Sequence, residues 1–270
     1  MPKVETGDRC GSAQPLPIEP GQLARLRTLT REAGAAIMAI YAGEHAVEFK
    51  DDRSPLTAAD KAAHAIILAG LKALTPAIPV LSEEGRDIPY AERREWPCFW
   101  LVDPLDGTKE FLKRNGEFTV NIALIEHGRP VFGLVGVPAQ DKVYWGLAGV
   151  GSWLAQGNGA PRAIAVRPAD PAAGLTVVQS RSHPSPELAD YLAGIRVAEA
   201  VEVGSALKFC IVAEGRADLY PRLGPTMEWD TAAGHAVVAG AGGRVTTLEG
   251  QPLQYNKENL LNPYFVVSSS

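Results

Sequence analysis

The sequence predicts a mixed fold of two unlike halves, α+β first and α/β second. Three observations carry this. Segments 118–126, 130–138 and 142–147 are strand-like and joined by the turns His127-Gly128 and Ala139-Gln140-Asp141, the pattern of an antiparallel meander. From residue 175 onward strand-like and helix-like segments alternate, the pattern of an α/β unit. Between them lies RPADPAAG (167–174), a proline-rich piece suited to a boundary. The expected organisation is a flexible arm over 1–20, a first domain over 21–167 and a second over 168–270.

Taken in order, 21–41 carries Leu23, Leu26, Leu29, Ala33, Ile37 and Ile40 at spacings of three and four, an amphipathic helix ended by Gly43. A short strand over 47–50 is followed by a turn at Ser54-Pro55. Thr57 then fits the N-cap of a helix running to about Leu74, with Asp60 at its third position. That acid reads equally as a capping-box partner or as a functional group. Residues 79–81 form a brief strand delivering Ser82, Glu83, Glu84 and Gly85, either a solvated face or a site. The apolar run 98–102 (CFWLV) is a buried strand whose end carries Asp103 at the rim of a core, and TKEFLKR beyond it is helix-like. Residues 149–162 are glycine-rich, with Trp153 and Leu154 as packing residues.

In the second half, strand 175–179 leads through the loop SRSHPSPE to a helix near 188–193 and a strand over 197–201. A helix over 205–214, a strand over 217–220, a small-residue helix beginning after Asp230 and a strand over 244–247 follow. Gly242-Gly243 caps that last helix.

Composition narrows the function classes. The chain has 270 residues, 46% hydrophobic and 21% charged, with a net charge of −5, and a mean hydropathy near zero. The acidic balance argues against a polymeric nucleic-acid partner, and no apolar run is long enough to span a bilayer. The first 21 residues hold acids and four prolines and lack the apolar stretch of a secretory signal. Cys10, Cys98 and Cys210 are far apart with no CxxC, which is reduced, cytoplasmic usage. The five histidines show no zinc spacing, and His64 and His235 read as structural residues on helices.

The chemistry concentrates in DPLDGTKEF, beginning at Asp103. Asp103, Asp106 and the Leu105 carbonyl can converge as three hard oxygens, which suits magnesium. The N–H groups of Gly107, Thr108 and Lys109 open the next helix and face an anion. Asp230 reads as a helix N-cap or as a further ligand. If Glu83, Asp103, Asp106 and Asp230 converge, four carboxylates stay ionised only around a cation. Two or more divalent ions holding a phosphate and activating a water is the chemistry expected of that cluster, with Thr108, reached by Asp60, orienting the water and taking its proton.

DPLDGT, the upstream SEEG, the SPLTAAD segment and the downstream WDTAAGHAV together resemble the magnesium-dependent, lithium-sensitive phosphomonoesterases of the inositol monophosphatase family, in order and spacing across nearly the whole chain beyond the arm. The resemblance implies a layered α-β-α-β-α sandwich with the site between two domains, and two or three Mg2+ ions. It implies Glu83, Asp103, Leu105 through its carbonyl, Asp106 and Asp230 as metal ligands, Asp60 and Thr108 as the water-activating pair, and Gly107 and Thr108 as phosphate-binding. DPLDGTKEF, the segment beginning GSALKFC and the tail LQYNKENLLNPYF are most similar to bacterial 3′(2′),5′-bisphosphate nucleotidases of the CysQ type. That branch implies release of the 3′-phosphate of adenosine 3′,5′-bisphosphate, and of 3′-phosphoadenylyl sulfate as a further substrate. Ser205, Lys208 and Arg222 match its nucleotide-binding positions, and His183 is a ring for the base to stack on. Lys208 and Arg222 read alternatively as exposed charges. An inositol or sugar phosphatase is the main rival, with Glu228 as the acid for sugar hydroxyls, and a non-catalytic metal-dependent anion-binding module is the second. The branch also implies peripheral attachment to the inner membrane, for which no helix or lipid motif is visible, and a monomer and a homodimer both fit.

Overall fold

The computed structural model describes residues 18–43, 58–182 and 186–269. The strand expected at 47–50, the Ser54-Pro55 turn, Thr57, Cys10 and His183 lie outside the described residues. Two helices come first, α1 (Pro20–Tyr41) and α2 (Ala58–Leu74). Strand β1 (Val80–Ser82), the one-turn α3 (Tyr90–Arg93), β2 (Cys98–Asp106) and the short α4 (Thr108–Leu112) follow. Then come β3 (Thr119–Glu126), β4 (Arg129–Val137), β5 (Lys142–Leu147), β6 (Gly151–Gln156) and β7 (Arg162–Ile164). The second half holds β8 (Leu175–Ser180), α5 (Pro186–Leu192), β9 (Val197–Val203), α6 (Leu207–Ala213), β10 (Leu219–Arg222), α7 (Glu228–Gly240), β11 (Arg244–Thr247) and β12 (Phe265–Ser268).

Strands β1 to β7 form one sheet in sequence order, antiparallel except for the parallel β1–β2 pair. The second sheet has the order β11-β12-β10-β8-β9, with β8 parallel to both β9 and β10. The glycine-rich 149–162 stretch thus contains a strand, β6, and β7 begins at its end. The C-terminal β12 wedges between β10 and β11.

The first sheet is buried on both faces, so its strands read as continuous apolar runs rather than alternating ones. Along β2, Cys98, Trp100 and Val102 face a core under α1 and α2, while Phe99 and Leu101 face the opposite core with α6 and α7. Beyond α6 and α7 lies the second sheet; Val178 of β8 faces the core with α6 and α7, and Leu188, Ala189 and Leu192 of α5 share a cavity with Gln179, Glu202 and Pro221 on that sheet's other side. The layers are therefore α, β, α, β, α.

Helix α7 lies directly on the first sheet because β4 and β5 place Gly133 and Gly146 beneath it. A Cβ at Gly133 would collide with the Ala233 carbonyl, and one at Gly146 would lie 2.6 Å from that of Ala236. Small residues on both surfaces bring the start of α7 down to the level of the acids at the end of β2.

Candidate phosphatase site between the two sheets

Pairing of β1 with β2 builds the first part of the site. Ser82 is opposite Val102, and the Glu83 N–H donates to the Val102 carbonyl at 3.1 Å, which sets Glu83 beside Asp103. Strand β2 continues through DPLD, against the expectation that it stops at Asp103. Asp103 pairs with Asn121 and Asp106 with Thr119, so one extra residue is accommodated as a bulge. The bulge is braced by the Leu105 N–H, which donates to Asp103 Oδ1 at 3.0 Å. Asp103 is 1% exposed and so sits in the core, not at its rim.

Asp230 arrives from α7. It is not the N-cap: the helix begins at Glu228 and Asp230 is its third residue. Its Oδ2 accepts the Met227 N–H at 2.8 Å, a reach back over the first turn. One carboxylate oxygen from each of Glu83, Asp103 and Asp230 lies within 4.8 Å of the others. Burial, then repulsion from Glu83, Asp106, Asp230 and Asp60, holds the Asp103 carboxyl well above its ordinary range. Glu83 is exposed as a residue, yet its carboxyl is desolvated among the acids and pushed up to about 7. Burial and the charges of Glu84 and Glu83 raise Asp60 to about 8. Such a group of hard oxygens fits a hard divalent cation, whose charge would remove the conflict among them.

Asp106 is held differently. Its Oδ2 accepts from Ser205 Oγ at 2.5 Å, the Ala206 N–H at 2.6 Å, Thr119 Oγ at 3.3 Å and, at the outer limit, Asn121 Nδ2 at 3.5 Å. Oδ1 accepts from none of the described residues, and Asp106 stands outside the close group of Glu83, Asp103 and Asp230. Ser205 also lies 2.7 Å from Thr119 Oγ and adopts φ +55°. Its hydroxyl therefore ties the second half to Asp106.

Gly107, at φ +93°, turns the chain into α4, a conformation open to glycine without strain. It and Thr108 line a cavity of about 330 Å3 with Lys208, Arg222 and Asp230. Lys208 and Arg222 are 6% and 7% exposed, which rules out their reading as surface charges. Lys208 Nζ donates to the Ser205 carbonyl at 2.6 Å, and burial lowers its ammonium to about 8. Arg222 donates to the Pro225 carbonyl at 2.8 Å, while its buried Nε has no partner among the described residues. Arg222 also lines a second cavity of about 450 Å3, shared with Ser180, Arg181 and Leu192.

A profile of the inositol monophosphatase family matches residues 22–264. The chain belongs to that family. Within the inositol monophosphatase family it is 53% identical to the 3′(2′),5′-bisphosphate nucleotidase CysQ of Escherichia coli K12, over 89% of this chain and 96% of that protein. It is 44% identical to the protein of the same name from Buchnera aphidicola, over 92% and 93%. The crystal structure of CysQ from Bacteroides thetaiotaomicron, a bacterial member of the family, superposes with a TM-score of 0.81 at 42% identity, covering 93% of this chain and 98% of that one.

Glu228, weighed from sequence as an acid for sugar hydroxyls, is fully buried and already bonded. It accepts the N–H groups of Asn256 and Lys257 at 2.6 and 2.9 Å and Lys257 Nζ at 2.5 Å. Its role is to pin the 256–258 loop to the start of α7. Arg93 grips that loop from the other side through the Lys257 and Glu258 carbonyls. Sequence reasoning also passed over Thr119 and Asn121. Their signal was visible as two polar side chains alternating on one face of the otherwise apolar strand TVNIALIE.

Proposed function

We propose that the chain is a divalent-metal-dependent phosphomonoesterase that removes the 3′-phosphate of adenosine 3′,5′-bisphosphate, giving AMP and phosphate, and that it acts on 3′-phosphoadenylyl sulfate in the same way. The observation that carries this is the carboxylate cluster Glu83–Asp103–Asp230 opening beside a cavity walled by buried Lys208 and Arg222. One anion would be held at the acids through cations and a second by the basic side chains. High identity to proteins named 3′(2′),5′-bisphosphate nucleotidase supports the same reading.

Glu83, Asp103, the Leu105 carbonyl, Asp106 through Oδ1 and Asp230 would hold two or three Mg2+ ions. Divalent cations there supply positive charge that offsets the phosphate's and acidifies water. The N–H groups of Gly107 and Thr108 would donate to the phosphate oxygens. Thr108 Oγ would orient the attacking water and pass its proton to Asp60, whose raised carboxyl suits a base working near neutrality. Attack in line forms one P–O bond as the bond to the ribose 3′-oxygen breaks, and that oxygen takes up a proton. Lys208 and Arg222 would hold the remote phosphate, and the cavity beside Ser180 and Leu192 would receive the base, with His183 nearby in sequence.

The test is hydrolysis by the purified chain with magnesium, comparing adenosine 3′,5′-bisphosphate, inositol 1-phosphate and fructose 1,6-bisphosphate. The expected outcome is a kcat/KM at least about a hundredfold higher for the nucleotide, the size of about two lost charge-assisted hydrogen bonds. A preference for either sugar phosphate would overturn the assignment.

A further inference from the structure

Glu110 is absent from the roles above, yet it is one of the most enclosed acids in the molecule, 3% exposed. It stands on α4 and lines the same cavity as Thr108, Lys208 and Arg222. Two glycines make room for it. A Cβ at Gly107 would lie 3.0 Å from Glu110 Oε2, and one at Gly204 would collide with the Glu110 Cγ and come within 3.0 Å of Oε1. The carboxylate is thus wedged between the turn of the first half that carries Asp106 and the turn of the second half that carries Ser205.

No described residue gives that carboxylate a hydrogen bond or an ion pair. Lys208 and Arg181 lie close enough for their charges to act on it, but Lys208 donates to the Ser205 carbonyl and Arg181 to Glu117 and the Glu202 carbonyl instead. Its oxygens are not sealed in the core but open on the cavity, so the carboxylate is completed by what enters there. As an ionised group it only accepts. Beside the phosphate-binding turn it repels a second anion and an acceptor alike, so the group that suits it is a neutral donor next to the scissile phosphate.

We infer that Glu110 reads the hydroxyl vicinal to the scissile phosphate, the ribose 2′-hydroxyl in a nucleoside 3′-phosphate, through the buried carboxylate framed by Gly107 and Gly204. This rests on the phosphatase reading above and adds a specificity to it: a phosphorylated ribose is accepted, and its 2′-deoxy counterpart is refused.

The experiment measures kcat/KM for adenosine 3′,5′-bisphosphate and for 2′-deoxyadenosine 3′,5′-bisphosphate with the full chain, Glu110→Ala and Glu110→Gln. A hydroxyl bonded to a carboxylate predicts that the full chain favours the ribonucleotide by roughly 10- to 100-fold. Glu110→Ala brings that ratio close to one, and Glu110→Gln, which keeps an acceptor oxygen in the same volume, leaves part of it. A full chain that does not discriminate overturns the inference, as does a ratio that survives in both variants; a merely structural Glu110 would lower both activities together. Thermal melting identifies a variant that fails to fold, and the ratio in the other variant then decides. A full chain inactive on both nucleotides would overturn the function itself, a result distinct from an active enzyme indifferent to the 2′-position.

Discussion

All four donors that reach the Asp106 carboxylate reach the same oxygen, Oδ2. That asymmetry orients the residue, with Oδ1 free of donors among the described residues and Oδ2 tied across to the second half. Ser205 is the principal tie, and this separates two roles for it. As a nucleotide contact, its loss would raise KM for the nucleotide at an unchanged metal requirement. As a positioning residue for Asp106, Ser205→Ala should leave KM within about twofold, lower kcat about tenfold and raise the magnesium concentration needed for half-maximal rate. The fold should lose about 1.5–3 kcal/mol, the usual size for a hydrogen bond to a charged group. Magnesium titrations of initial rate, with a denaturant melt alongside, read all three quantities.

At the scale of elements, α7 is the lever of the site, because it rests on Gly133 and Gly146 and carries Asp230 on its first turn. Gly133→Ala drives a methyl against the Ala233 carbonyl, a backbone atom that can yield only if the helix shifts. Overpacking of this kind costs about 1–3 kcal/mol, so the melting temperature should fall by roughly 5 °C, and magnesium affinity should weaken because Asp230 moves with the helix. Calorimetry of the variant with and without magnesium measures both effects. The elements that positioned the site were also those legible in the sequence. Periodicity exposed α1, a capping pattern exposed α2, and turn residues exposed β3, β4 and β5. β6 and β7 were hidden because glycine and polar residues in and around them mask any alternation, and β12 because its pairing with β10 and β11 is non-local. The acids were legible as a set, while their settings were not. A strand signal cannot show that β2 carries Asp103 on into the core through a bulge, and an Asp at a helix start fits both N-cap and third position. Nor does any local pattern announce that Ser205 meets Asp106 or that Glu110 lies under Gly204, since each contact joins the two halves.

The whole molecule gathers Asp60, Glu83, Asp103 and Asp230 into one region, and each carboxyl is raised by burial and by its acidic neighbours. Folding without cations therefore favours the protonated acids. The unfolded values are 3.8 for Asp60 and 4.5 for Glu83, and the folded ones about 8 and about 7. A raised folded value gives a contribution that is complete below the unfolded pKa and lost as pH rises through the folded one. In a chelator the melting temperature should accordingly fall from about pH 4 to about pH 8 and then level off. Magnesium held as proposed would bind the ionised cluster, so the increment it adds should be larger at pH 8 than at pH 6. Asp103→Asn removes one charge from the centre of the group while keeping its shape. In chelator that variant should melt higher than the parent at pH 8 and show a flatter pH profile. It should also gain little from magnesium and lose catalysis, which is the exchange of stability for function expected where like charges are assembled for a cation. Melting curves at both pH values, with and without magnesium, measure the effect. If parent and variant keep parallel pH profiles in chelator, the cluster is not what sets the stability of the metal-free fold.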